Sequence, residues 1–386
     1  MQYRKSERID TDISLLGFGA MRLPLVNNNA DEIDVEQAKS MIRYAIDHGV
    51  NYVDTAWVYH EGRSEGIVAG ALQEGYREKV NLATKNPTWL IKKEEDWEYF
   101  LEEQLKRLQV SQIDFYLQHS LTKSSWETVK KFNLFEKGMR AKKEGRIKYY
   151  GFSFHDSYEL FEEIINTYDW DFCQIQLNYL DKEYQAGLKG LELARKKNIP
   201  VIIMEPLRGG LLADSLPYFV TETMEEFKTK YRPIEWAFRW LADQSGILTI
   251  LSGMSSYEQV KDNIDIFNEK YMIENNMTPE ERQMIDDIVL AWNHKEFVKC
   301  THCNYCIPCP KGVNIPENFR NYNRLIHNTD ENIRRFLVGQ YQGFINTGCD
   351  AGQCVSCHAC EKVCPQGILI SERLKDFKNK MQDHLS

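Results

Sequence analysis

The chain has 386 residues and a net charge of −9, with 48 Lys and Arg interspersed among 57 Asp and Glu. That balance leaves no electrostatic footprint for nucleic acid or for an anionic membrane surface. The N-terminus "MQYRKSERIDTD" lacks an apolar signal core, and no run approaches the roughly 18 apolar residues of a membrane helix, which predicts a cytoplasmic chain.

From about Leu15 to Phe267 short β-rich runs alternate with amphipathic helices. The predicted strands are Leu16 to Ala20, Tyr52 to Ala56, Asn81 to Lys85, Phe115 to His119, Tyr149 to Ser153, Cys173 to Leu177, Val201 to Met204 and Leu248 to Leu251. Several are too continuously apolar to leave a solvated face, as in a parallel sheet covered on both sides. Between them lie helices such as "VEQAKSMIRYAIDHG", in which Ala38, Met41, Ile42, Ala45 and Ile46 recur at helical spacing before Gly49 ends the run. "DWEYFLEEQLKRL", "ELFEEIINTY" and "GLELARKKN" read likewise. Eight strand-helix repeats predict an α/β fold of the TIM (β/α)8 barrel type, and "GFGAM" after the first strand does not supply the GxGxxG of an open dinucleotide-binding sheet. Thr278 to Phe297 reads as one more helix, and nine of the ten cysteines follow it. The expected boundary lies near Lys295: a barrel over 1–295, then a small, mainly α-helical domain over 296–386.

In such a barrel the C-terminal ends of the strands build the active site. Asp54, Lys85 and His119 end three consecutive predicted strands, and Tyr59 follows Asp54 in "NYVDTAWVYH". Singly, each has an ordinary reading: a loop cap, a packed ring, a solvated lysine, a satisfied core histidine. Together they make a proton-transfer set, in which the lysine ammonium lowers the phenol's pKa, the aspartate keeps the lysine charged, and the phenol protonates a carbonyl oxygen as hydride reaches carbon. The histidine orients the carbonyl or assists proton transfer. Trp57, Trp89 and Tyr179 fall near the expected rim and read equally as pocket lining or core.

"NYVDTAWVY", "ATK", "YLQHS", "GRIKYYGFS" and "QIQLNY", in this order, resemble the aldo-keto reductase superfamily over roughly the first 290 residues. The resemblance implies a catalytic tetrad of Asp54, Tyr59, Lys85 and His119, with Tyr59 the proton donor. It also implies an NADP(H) or NAD(H) cofactor and a small carbonyl or alcohol substrate. Ser153 and Gln176 match the residues that hold the nicotinamide carboxamide, although Phe154 stands where an asparagine usually follows the serine. Met204 takes the place of the usual stacking aromatic ring, and Leu207 to Leu211, with Gly209 between them, match the pyrophosphate loop. Asn263 matches the adenine contact. Gly253 and Gln259 stand where many members carry the lysine and arginine that clamp a 2′-phosphate, so preference between the two nucleotides stays open.

The cysteines form two runs, "CTHCNYCIPCP" from Cys300 and "CVSCHACEKVCP" from Cys354. Disulfides suit small exported chains. Zinc suits paired CxxC units. Three cysteines at two-residue gaps, twice over, each run ending in CP, point to two 4Fe-4S clusters. In two-cluster ferredoxins the last cysteine of each run ligates the other cluster, which assigns Cys300, Cys303, Cys306 and Cys364 to one and Cys354, Cys357, Cys360 and Cys309 to the other. The first run has two residues, not three, before its last cysteine. The long intervening segment is helical in pattern and resembles helical ferredoxin modules. Cys173 reads as a core residue and Cys349 as a loop thiol.

A hydride carries two electrons and a cluster one, and no flavin signature bridges them. The clusters are therefore structural, dock an electron-transfer protein, or serve a further redox cofactor. The overall expectation is an aldo-keto reductase-type oxidoreductase. Two alternatives stand beside it: an electron-transfer subunit whose barrel is a docking platform, and a non-redox scaffold holding zinc.

Overall fold

The computed structural model describes all residues except 29–31, 215, 217–219, 221–222, 226, 229, 294–297, 328–330 and 386. The chain divides into two compact units, one of Met1–Pro206 with Phe238–Met277 and the other of Leu207–Ala237 with Thr278–Ser386. The boundary expected near Lys295 lies outside the described residues.

In the first unit Tyr3–Ser6 (β1) and Ile9–Ser14 (β2) form an antiparallel hairpin. Eight strands follow: Leu16–Gly19 (β3), Tyr52–Asp54 (β4), Asn81–Asn86 (β5), Ile113–Leu121 (β6), Ile147–Phe154 (β7), Phe172–Gln176 (β8), Val201–Met204 (β9) and Ile247–Ser252 (β10). They close into an all-parallel barrel in the order β10-β3-β4-β5-β6-β7-β8-β9. All eight predicted strands are present. Runs such as "ILTILS" in β10 are buried at every position, because barrel interior and helical jacket cover both faces.

The jacket helices follow their sequence patterns. In Val35–Asp47 (α1) the Asp34 carboxylate caps the first turn by accepting from Gln37 N–H at 3.0 Å, and Ala38, Met41, Ile42, Ala45 and Ile46 form the buried stripe. Met41 and Ile42, fully buried there, each stabilise the unit by about 1.5–3 kcal/mol. Ser64–Ala71 (α2) and Asp96–Leu108 (α3) pack beside the strands that carry the candidate site. The β1–β2 hairpin was not anticipated. Its Ile9 and Ile13 join Tyr52, Phe115, Tyr149 and Phe172 in the core at the strands' N-terminal ends, so the hairpin plugs the mouth opposite the site.

The second unit is helical. Ile315–His327, Glu331–Thr347 and Ile370–Leu385 enclose a core built on Phe319, Tyr322, Leu337, Tyr341, Phe377 and Met381. Among the described residues it contains no β-strand, which agrees with a helical rather than a β-ribbon ferredoxin arrangement. The helix expected over Thr278 to Phe297 is described over Pro279–Asn293. No described helix is long and apolar enough to cross a membrane.

Candidate functional site

Asp54 is the last residue of β4, Lys85 the penultimate residue of β5, and His119 lies near the end of β6. The β6–β7 register breaks between Gln118 and Leu121, where Ser120 takes a left-handed φ of 55°. Such an irregularity re-aims the side chain beside it. Tyr59 opens the one-turn helix Tyr59–Gly62 after β4.

These four residues converge. Lys85 Nζ, fully buried, donates to Asp54 Oδ1 at 2.6 Å, to the Thr55 carbonyl at 2.8 Å and to the Tyr59 hydroxyl at 3.2 Å. Three acceptors use the ammonium's three protons, which fixes the nitrogen beside the phenol. The His119 ring meets the Tyr59 ring edge-on, with centroids 6.1 Å apart, and Trp89 lies 5.0 Å from His119 on another side. His119 Nδ1 and Asp54 Oδ2 are buried with no hydrogen-bond partner among the described residues.

Burial sets the electrostatics. It pushes the Tyr59 phenol well above the ordinary tyrosine value, reinforced by the Asp54 and Glu205 carboxylates. The direction is opposite to the lowering by Lys85 expected from sequence. Burial also lowers the Lys85 ammonium and raises the Asp54 carboxyl, and in each the ion pair between them opposes the shift. His119 falls well below the ordinary histidine value, through burial first and then the Lys85 charge and His155, so its imidazole is neutral.

The residues matched to a nicotinamide lie at the next strand ends. Ser153 accepts from Ser120 N–H at 2.7 Å, and Gln176 Nε2 donates to Asp181 at 3.3 Å. Met204 Sδ accepts from Gln174 Nε2 at 3.4 Å, while Gln174 Oε1 and the Tyr179 hydroxyl are buried without a partner among the described residues. Unmatched buried polar atoms around a rim suit a polar, planar ligand. Asn263 donates to the Ser252 hydroxyl at 2.9 Å, and Gln259 Oε1 accepts from Ser255 N–H at 2.8 Å. The side chain of Arg22 covers Gly253, where an added Cβ would come within 3.1 Å of its Cδ. Arg22 was not anticipated; a cation following the first strand was the available signal.

Leu207, Gly209 and Leu211 belong to the second unit. Gly209 has a φ of 69°, and a Cβ on it would lie 2.2 Å from the Thr301 carbonyl oxygen, so only glycine fits. Of the rim aromatics, Trp89 is partly exposed and Trp57 half-buried, whereas Tyr179 is fully buried.

The cysteines of the second unit line two small hollows, both partly open to solvent. Cys354, Cys357, Cys360 and Cys309 line one, and Cys300, Cys303, Cys306 and Cys364 line the other. Each run thus lends its last cysteine to the other's cavity, and Ile315 lines both. The loops also repeat one another: His302 and Asn304 around Cys303, and Ser356 and His358 around Cys357, all have left-handed φ between 54° and 65°. A zinc ion would draw four sulfurs to about 2.3 Å from one centre. Among the described residues no three His, Cys, Asp or Glu side chains converge in that way. Four cysteines around each hollow are the ligand number of a 4Fe-4S cluster. Burial and the neighbouring Cys300, Cys303 and Cys364 push the Cys306 thiol up to about 12. Cys173 is a buried core thiol of β8, and Cys349 lies beside Thr347 at the end of a helix.

A parallel barrel with a polar cluster on one rim, followed by a helical cysteine module, defines a two-part barrel oxidoreductase. Residues 15–281 match the aldo/keto reductase family and residues 299–369 the 4Fe-4S dicluster domain; the chain belongs to the aldo/keto reductase family and is an enzyme of that type. It is 27% identical over 322 residues to the oxidoreductase YqkF of Bacillus subtilis (strain 168), covering 75% of this chain and 99% of the relative. It is 28% identical over 267 residues to the NADH-specific methylglyoxal reductase of Escherichia coli (strain K12), covering 57% and 79%. Among solved structures, the holo form of the aldo-keto reductase AKR11C1 from Bacillus halodurans superposes with a TM-score of 0.61 at 26% identity, over 75% of this chain and 96% of that one.

Proposed function

We propose that the protein is an NAD(P)H-dependent reductase of a small aldehyde or ketone, able to run in reverse on the alcohol, with a C-terminal module holding two 4Fe-4S clusters. The observation that carries this reading is Lys85 Nζ, which reaches Asp54, the Thr55 carbonyl and the Tyr59 hydroxyl at once.

Tyr59 gives its proton to the carbonyl oxygen as that oxygen becomes an alkoxide, and the new C–H bond and O–H bond complete the alcohol. The Lys85 ammonium stabilises the charge left on the phenolate, and Asp54 holds Lys85 in place. A resting phenol of high pKa suits the donor role, because the alkoxide is the stronger base. Neutral His119 orients the carbonyl by hydrogen bonding. When bound, a reduced nicotinamide supplies the hydride. Ser153, Gln176 and Met204 would hold its ring, and Gly253, Gln259 and Asn263 its adenosine end. Arg22 is the cation beside Gly253 that would take over part of the missing clamp. The Escherichia coli relative's name joins NADH to a small dicarbonyl, and both belong in the first substrate panel.

Cys300, Cys303, Cys306 and Cys364 would hold one cluster and Cys354, Cys357, Cys360 and Cys309 the other, in a domain over 296–386 that follows a barrel over 1–295. Reduced thiols in this number suit the cytoplasm. Cys357 and the flanking Val355 are exposed, which suits docking of a one-electron carrier protein at that cluster. The test is anaerobic purification followed by a carbonyl panel with NADH and NADPH. Absence of nucleotide binding, or a Tyr59→Phe variant of full activity, rejects the reductase reading.

A further inference from the structure

Behind the candidate tetrad lies a buried polar network that the chemistry above does not use. Glu65, on α2, has no exposed side-chain area. Its Oε1 accepts from the Thr84 hydroxyl at 2.7 Å and from Gln104 Nε2 at 2.6 Å, and Arg107 Nη1 lies 3.3 Å from Oε2. Gln104 Nε2 also reaches the Lys85 carbonyl at 3.1 Å, and the Tyr116 hydroxyl donates to Gln104 Oε1 at 2.8 Å. One amide group thus ties the Glu65 carboxylate to the backbone of Lys85. A buried carboxylate is costly unless donors surround it, and this one has three of them. Arg107 is itself stacked over the Trp57 ring at 3.5 Å.

We propose that Glu65 is a positioning residue for the Lys85 ammonium: through Gln104 and Thr84 it anchors the end of β5, and its charge keeps Lys85 protonated beside Tyr59. The proposal rests on the reductase reading. The groups facing Lys85 are Asp54 from β4, Tyr59 after it, His119 from β6 and Glu65 from α2. Those facing Glu65 are Arg107 from α3, Lys85 from β5 and Tyr116 from β6. Burial lowers the Lys85 pKa, and Glu65 joins Asp54 in opposing that. Removing the Glu65 charge therefore discharges Lys85 at a lower pH. Removing Arg107 acts in the opposite sense.

The test uses full-length, cluster-loaded protein. kcat and KM are measured from about pH 6 to 10 for the wild type, Glu65→Gln and Arg107→Gln. Glu65→Gln is expected to lower kcat about tenfold with nucleotide KM unchanged, and to move the alkaline limb about one pH unit toward acid. Arg107→Gln is expected to move that limb toward alkali. A limb unmoved in both folded variants overturns the proposal, and if Glu65→Gln does not fold, the sign seen with Arg107→Gln decides. A wild type lacking Tyr59-dependent carbonyl reduction fails the reductase reading instead and takes the proposal with it.

Discussion

The barrel rim and the cysteine module both gather ionisable side chains, but they balance charge in opposite ways. At the rim the buried tetrad and the network behind it are paired within the protein: Lys85 faces Asp54, and Glu65 faces Arg107. In the module the thiols lie beside one another: Cys300, Cys303 and Cys364 act on Cys306, and Cys354 and Cys357 on Cys360. The Cys306 and Cys360 thiols are pushed up to about 12 and about 11 by burial and by their neighbours, a shift that a bound metal cluster would have to offset to hold them as thiolates. The rim is built by folding alone, whereas the module is completed by what it binds.

The sharpest way to break this comparison is Tyr59→Phe. It removes one hydroxyl from a site the protein builds by itself, so carbonyl reduction is expected to fall by about 10²–10⁴-fold with the visible cluster spectrum unchanged. Stopped assays under anaerobic conditions, alongside the absorption spectrum, check both halves. Retained activity would remove Tyr59 from the chemistry.

Iron removal tests the other side. The core of the second unit packs directly against Cys300, Cys306, Cys309, Cys354, Cys360 and Cys364. Chelation under reducing conditions is expected to melt this unit while the barrel keeps its unfolding transition, as followed by circular dichroism and calorimetry. Cys364→Ala should remove the cluster of the first run, and Cys309→Ala that of the second. Each variant should lose about half the iron. A Cys364→Ala protein that lacks the second run's cluster instead would overturn the crossed ligand sets.

A smaller effect is expected from Gly209→Ala. The added Cβ would sit 2.2 Å from the Thr301 carbonyl, against rigid backbone, at a φ of 69°. Strain of this kind costs roughly 1–3 kcal/mol. Because Thr301 adjoins Cys300, the loss should appear as faster cluster release. Gly210→Ala, at a site with nothing within 4 Å, carries only the backbone penalty of its φ of 92° and is the control.

Much of the barrel was legible because parallel strands buried on both faces are continuous apolar runs, and "VIIM" or "ILTILS" admits few other readings. The crossed cysteine sets were expected from the pattern of two-cluster ferredoxins, and the same sets line the two hollows of the second unit. The β1–β2 hairpin was missed: only the alternation of Ile9, Thr11 and Ile13 announces it inside a charged N-terminus. The sign of the Tyr59 shift was missed for a different reason. Sequence placed a lysine beside a phenol, but whether that charge outweighs desolvation depends on burial, which no local pattern encodes. The Glu65 network was hidden likewise, since Glu65, Thr84 and Gln104 meet only after three elements pack.

The smallest predicted effect concerns His119. Its imidazole is kept neutral by burial, with the Lys85 charge and His155 adding to the shift, and burial lowers His155 to about 4. The unfolded chain titrates near 6.5, so below that pH it binds a proton that the folded state refuses. Stability supplied by a neutral His119 is therefore complete above pH 6.5 and shrinks as the pH falls. The loss is at most about 1.4 kcal/mol per pH unit for this residue, with a second such increment from His155. Denaturant unfolding of the barrel at about pH 7 and 5.5 is expected to show a smaller decrease for His119→Gln than for the wild type. Equal decreases would mean that His119 is charged in the folded protein, and the neutral hydrogen-bonding role assigned to it would fall.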